Sequence, residues 1–297
     1  MTGEGHAVIT LTDTSPEAQG VLDECLRRMP PERKWRIMLD LNRTARALHE
    51  AGFRMRHPAA TRETIQADWR KMALGPLWHP RFAEIPEMEV ASLDNVPVIR
   101  EVATTLRRLG VAFALGGSWA SSLQGQARTT YDADITAEPF PGREATFASA
   151  FGPDYYVSEI AIREAIQRQS SFNVIHLPSG FKVDVFIRKD TPFGRSVLAR
   201  RQKAIIPGDP PEPIDVVSAE DIILLKLEWF RLGGETSDRQ WGDVLGVLRV
   251  QAGRLDDTYL DHWAGELNVA DLLAKARSQA SGARGQESGI SKLNPDP

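Results

Sequence analysis

Leu115-Gly-Gly-Ser-Trp-Ala-Ser-Ser-Leu-Gln-Gly-Gln-Ala-Arg-Thr-Thr-Tyr-Asp-Ala-Asp-Ile135 is the stretch on which the reading of this chain turns. It opens at the end of an apolar run, Val111–Leu115, that suits a buried strand. Gly116-Gly117-Ser118 follows, and then a short helical segment to Leu123, closed by Gly125. Two glycines and a serine between a strand and a helix let backbone N–H groups approach an anion, and the helix N-terminus adds partial positive charge, so phosphate is the natural guest. Such a turn also occurs simply as a turn. Asp132 and Asp134 are two apart on the next predicted strand, so both carboxylates leave one face, roughly 6–7 Å apart at Cα. Like charges this close are commonly held together by a divalent cation.

A third acid reinforces the pair. Phe172–Leu177 and Phe181–Ile187 read as a hairpin turning at Pro178-Ser179-Gly180. In its second strand Asp184 alternates with Val183 and Val185, in an otherwise apolar segment. A metal would explain it; an ion pair with Lys182 or Lys203 is the alternative. Three carboxylates holding Mg²⁺ (or Mn²⁺) beside a phosphate-binding turn suit phosphoryl or nucleotidyl transfer, which needs charge neutralisation and in-line positioning more than covalent chemistry. The P-loop pattern, the dinucleotide-binding G-x-G-x-x-G and H-E-x-x-H are all missing.

Outside this core the pattern is helical. Ser15-Pro16-Glu17 reads as a helix start, Pro30-Pro31 as a break, Glu32–Gly52 and Thr61–Met72 as two further helices, and Leu74–Pro97 as a proline-rich linker. A helix over Ile99–Leu109 precedes the strand. After Ser218-x-x-Asp221, a capping-box-like start, helices are expected over Ala219–Leu232, Asp238–Val250 and Leu260–Arg277. The polar tail from Ser278 reads as disordered. The resulting expectation is an α/β (α+β) protein. A helical region and linker (1–95) precede a core with a small mixed sheet (96–217), a helical C-terminal part of the same domain (218–277) and a tail (278–297).

The chain of 297 residues carries 36 basic and 40 acidic residues, a net charge of -4, which argues against a general nucleic-acid coat. Charge is uneven: Arg27–Lys71 holds twelve Lys/Arg against five Asp/Glu, and Lys182–Lys203 seven against two. These stretches are either solvated helix faces or one basic surface. A single cysteine, Cys25, excludes a disulfide framework and fits a cytoplasmic setting. No apolar run suits a membrane span, and no secretory signal pattern opens the sequence.

The order Gly-Gly-Ser, Gly125-x-x-Arg128-x-Thr130-x-Asp132-x-Asp134-Ile135 and a later Val183-Asp184-Val185 strand resembles the DNA polymerase β-like nucleotidyltransferase superfamily. Within it the pattern is most similar to AbiEii/AbiGii-type toxin nucleotidyltransferases. The resemblance covers about residues 96–250. It implies a nucleotidyltransferase core in which Gly117, Ser118 and neighbouring amides hold the triphosphate of an NTP. Asp132 and Asp134 would bind metal, with Asp184 as third carboxylate. It also implies a lysine and then an aspartate on later helices. Lys226, set among Ile222, Ile223, Trp229 and Phe230 on its helical wheel, matches the first. Asp243 is carried over as a catalytic acid, although Arg239 could simply pair with it. Arg128 either touches phosphate or makes a structural ion pair. The implied setting is toxin–antitoxin or phage defence, with RNA such as a tRNA end as acceptor and a cognate antitoxin as partner. Nucleotidylation of a protein or small molecule, and a non-catalytic antitoxin-like binding module, are the competing readings. Residues 1–95 lie outside the resemblance, and their role stays open.

Overall fold

The computed structural model describes residues 15–83, 95–207 and 209–282. Residues 1–14, residues 84–94 of the expected linker and the end of the tail lie outside the described residues. The elements run in the order α1 (Pro16–Arg28), α2 (Pro31–Arg56), α3 (Arg62–Leu74), α4 (Asn95–Arg108), β1 (Phe113–Leu115), α5 (Gly117–Gln124), β2 (Asp132–Ala137), α6 (Glu144–Ala148), β3 (Tyr155–Val157), α7 (Glu159–Arg168), β4 (Ser171–His176), β5 (Phe181–Ile187), α8 (Pro192–Ala199), β6 (Gln202–Ile206), β7 (Glu212–Val216), α9 (Ala219–Leu232), α10 (Asp238–Val250), α11 (Asp257–Glu266) and α12 (Ala270–Gly282). This is a mixed α/β fold, as expected.

The seven strands form one sheet in the order β3-β4-β5-β2-β1-β7-β6. β2 sits at its centre, parallel to β5 and antiparallel to β1. One face of this pair buries Ala133, Ile135 and Ala137 with Val183, Val185 and Ile187. Strict alternation sends Asp132, Asp134, Lys182 and Asp184 to the other face. Phe186 on that face packs its ring 6.2 Å from Trp229 of α9. α9 therefore reaches the polar side of the sheet.

The N-terminal helices are built into this body. Trp35 and Met38 of α2 are fully buried, and the Trp35 ring lies 4.8 Å from that of Trp119 in α5. Lys34 donates to the Leu123 carbonyl at 2.8 Å, and burial lowers its pKa to about 8.

Several boundaries differ from the sequence reading. α4 begins at Asn95, with Pro97 inside its first turn, where a missing N–H costs nothing. The single helix expected over Leu260–Arg277 is two, α11 and α12, divided where Asn268 takes a left-handed backbone (φ 56). Asparagine tolerates that conformation better than most residues. α12 continues to Gly282, so the start of the presumed tail is helical. α2 runs through Gly52 to Arg56 because one glycine costs a helix only about 1 kcal/mol.

Candidate active site

The parallel register of β2 and β5 pairs Asp134 directly with Asp184, and Asp132 with Lys182. The three carboxylates thus share one face of the sheet. Thr130 Oγ1 donates to Asp132 Oδ1 at 2.9 Å. Asn173 of β4 donates to Asp184 Oδ1. Lys182 lies between the outer two acids, its Nζ 3.2 Å from Asp132 Oδ2 and bonded to Asp184 Oδ2. The ion pair anticipated for Asp184 is therefore real and made with Lys182; Lys203 pairs with Asp215 instead. Burial disfavours the Lys182 charge, but its bonds to Asp184 and Asp132 outweigh this and hold its pKa above the ordinary value.

Asp134 has no such relief. Burial, then the charges of Asp132 and Asp184, push its pKa up to about 6, against the smaller opposing pull of Lys226 and Lys182. The face thus carries more negative charge than its own lysines offset. Hard carboxylate oxygens with unspent negative potential fit a divalent cation such as Mg²⁺. Among the described residues no three His, Cys, Asp or Glu side chains stand arranged as a ready metal cluster. A cation here would meet the Lys182 ammonium between Asp132 and Asp184.

The Gly-Gly-Ser turn closes on these acids. Gly116 N–H donates to the Asp134 carbonyl at 2.8 Å. Gly117, the first residue of α5, has φ +52, and a Cβ there would lie 1.6 Å from Asp134 Oδ2. Only glycine lets the start of the helix approach the carboxylate so closely. Gly117→Ala adds about 1–2 kcal/mol of backbone strain and forces Asp134 or α5 aside. The expected result is a protein that still melts cooperatively but binds Mn²⁺ at least about tenfold more weakly, read by titration of free Mn²⁺ in the paramagnetic resonance spectrum.

A second charged cluster stands beside the turn. Arg128 grips Asp243 with two bonds, Nε to Oδ1 at 2.8 Å and Nη2 to Oδ2 at 2.9 Å, and Nη2 also donates to Ser118 Oγ. Lys226 Nζ lies 2.8 Å from Asp243 Oδ2 and 3.0 Å from Gln240 Oε1. Lys226 is only 5% exposed and Asp243 8%. Burial alone would raise the Asp243 pKa, but Arg128 and Lys226 outweigh it and hold the carboxyl below its ordinary range. The partners of Asp243 are thus Arg128 and Lys226, from β2's approach and from α9, rather than Arg239. Its contacts are those of an anchor for two cations, one of which, Arg128, also reaches Ser118.

Much of the charge in the basic stretches is paired or buried. Arg188, Arg195, Arg200, Arg201 and Lys203 are all in ion pairs. In the earlier stretch Arg27, Arg28, Arg46 and Arg54 pair with glutamates of their own helices, and Lys34 and Arg70 are buried. A feature with no sequence signature is a cavity of about 370 Å³ between α2, α3 and the turn before β5, lined among others by Asn42, Arg46, Trp69, Tyr131 and Ser179. Its walls adjoin Asp132 and Lys182 in the chain.

Residues 27–75 match the family described as Rv0078B-related antitoxin, a match confined to α2, α3 and the end of α1. Among solved structures the chain is similar to an antigenic nucleotidyltransferase-like protein from Paracoccidioides brasiliensis, at 17% identity over 67% of this chain and 94% of that one, with a TM-score of 0.45. It is also similar to the antibiotic-resistance factor ANT(2'')-Ia, at 14% identity over 67% of this chain and 98% of that one, with a TM-score of 0.31. No curated protein matches the sequence. No described helix is long and apolar enough to cross a membrane.

Proposed function

We propose that this chain is a nucleotidyltransferase that moves a nucleotide from an NTP onto an acceptor with Mg²⁺ or Mn²⁺. The observation that carries the reading is the in-register pair Asp134–Asp184, with Asp132 on the same face and the glycine-opened start of α5 against Asp134. Asp132, Asp134 and Asp184 would hold the cation, with Lys182 withdrawing from between them. When bound, the cation supplies charge neutralisation at the phosphates and a lower pKa at an acceptor hydroxyl. The residues of the chain do the rest. The amides at Gly117 and Ser118 offer donors to phosphate oxygens. Arg128 and Lys226, oriented by Asp243, bring positive charge to the same turn.

Incubation with each labelled NTP and pools of RNA, protein and small molecules tests the reading. Label should transfer in Mg²⁺ and fail in a chelator. Transfer by no NTP to any pool would overturn it. Lys226→Ala should weaken NTP binding by about 1–3 kcal/mol, the scale of a charge-assisted contact. An unchanged affinity in calorimetric titration would remove Lys226 from the site.

The acceptor we favour is RNA such as a tRNA end, in a toxin–antitoxin or phage-defence setting. Its support is the motif pattern; the paired state of the basic stretches lends it none. Protein or small-molecule acceptors are separated from it by which pool takes the label. The match of residues 27–75 favours a second reading, a non-catalytic antitoxin-like module. That reading predicts no transfer at all, with binding of a partner protein intact.

A further inference from the structure

We infer that α2 is a working wall of the carboxylate site, and that Asn42 and Trp35 are positioning residues for Asp132. The inference rests on the reading of Asp132 as a metal-binding acid. Two separate limbs run from α2 to this one residue. In the first, Asn42 Oδ1 accepts the Thr130 backbone N–H at 3.0 Å, and Thr130 Oγ1 donates to Asp132 Oδ1 at 2.9 Å. In the second, the Trp35 ring packs 4.8 Å from Trp119, whose indole N–H donates to the Asp132 carbonyl at 2.8 Å. One limb fixes the carboxylate and the other the backbone that bears it. Both are buried: Trp35 and Trp119 are 0% exposed, Thr130 5% and Asn42 8%.

The chemistry of Asn42 is telling. Its Oδ1 is used, while its buried Nδ2 has no hydrogen-bond partner. A buried amide half left unsatisfied costs stability, so the residue is not there for the stability of α2 alone. What the position needs is a buried acceptor aimed at Thr130. Partners that orient a metal-binding carboxylate govern its affinity for the cation, typically by about 10–100-fold. The antitoxin-matching segment 27–75 therefore serves the site of its own chain, and the site is incomplete without it.

The test is Mn²⁺ binding by the full chain, with the melting temperature measured alongside. Asn42→Ala and Thr130→Val should each weaken Mn²⁺ binding by about tenfold. Because they act through one path, the double variant should be no weaker than the worse single one, whereas independent effects would multiply. Asn42→Asp keeps the acceptor and should bind Mn²⁺ within about threefold of the native chain. Trp119→Phe keeps the ring against Trp35, removes only the N–H, and should weaken binding while melting near the native temperature. This variant decides the matter should Asn42→Ala fold poorly. Native Mn²⁺ affinity in Asn42→Ala, Thr130→Val and Trp119→Phe would overturn the inference and leave the proposed function standing. Absence of Mn²⁺ binding by the native chain would overturn both.

Discussion

Asp243→Ala should destabilise the protein by about 3–5 kcal/mol, read as a lowered urea midpoint, and abolish measurable NTP binding. The size follows from what the substitution leaves behind. Lys226 is 5% exposed and would keep only Gln240 as a partner, while Arg128 would lose both bonds of its fork. An uncompensated buried ammonium is among the costliest single defects in a folded protein. Asp243→Asn separates charge from shape: it keeps an acceptor for one cation but no anion, and should fall between the two. A loss below about 1 kcal/mol in Asp243→Ala would show that Lys226 and Arg128 find solvent without it, and would end its role as their anchor.

Asp134→Asn is expected to do the opposite to stability and more to activity. The folded-state pKa of Asp134, about 6, stands above the ordinary 3.8. The folded protein therefore binds this proton more tightly than the unfolded chain. That contribution is full below pH 4 and is lost as pH rises through 6, beyond which the ionised group costs on the order of 3 kcal/mol. Asparagine is neutral throughout. Without divalent ions, Asp134→Asn should thus be the more stable protein at pH 8 by up to about 3 kcal/mol, with the advantage gone at pH 4. Added Mg²⁺ should stabilise the native chain and not the variant, and nucleotide transfer should fall by at least about 100-fold. Equal melting temperatures at pH 8 would mean that neither burial nor the neighbouring acids penalise the Asp134 charge.

What the sequence made legible was local. Period-two alternation put Asp132 and Asp134 on one face of their strand and set Asp184 apart from Val183 and Val185 on its own, while the register that brings all three to one face of the sheet is a property of the paired strands. Ser15 and Ser218 announced the starts of α1 and α9 through hydroxyls that cap the first turn. What stayed hidden was distant. Arg128 and Asp243 meet across 115 residues, and Asn42 and Thr130 across 88. No periodicity in either segment encodes such a meeting. The short strands were hidden for another reason. β3 has only three residues and buries none fully, and β7 carries Pro213, which breaks the usual strand signature. The pairing of Lys182 with Asp184 is legible as an alternative in the sequence, but its second bond, to Asp132 on the neighbouring β2, is not.

The long reach of these pairings sets an order of assembly on a growing chain. β1 meets β2 through Leu115 and Ile135, but meets β7 only through Val216, about a hundred residues later. The acidic face is complete once Ile187 of β5 is made; Lys226 and Asp243 follow on α9 and α10. At a synthesis rate of roughly 5–20 residues per second, some 3–11 s separate the two. In that interval a nascent chain carries crowded carboxylates with no Lys226 or Asp243-held Arg128 to draw a triphosphate to them. On the function proposed above, nucleotide binding by a nascent chain would have to wait for α9 and α10 to dock.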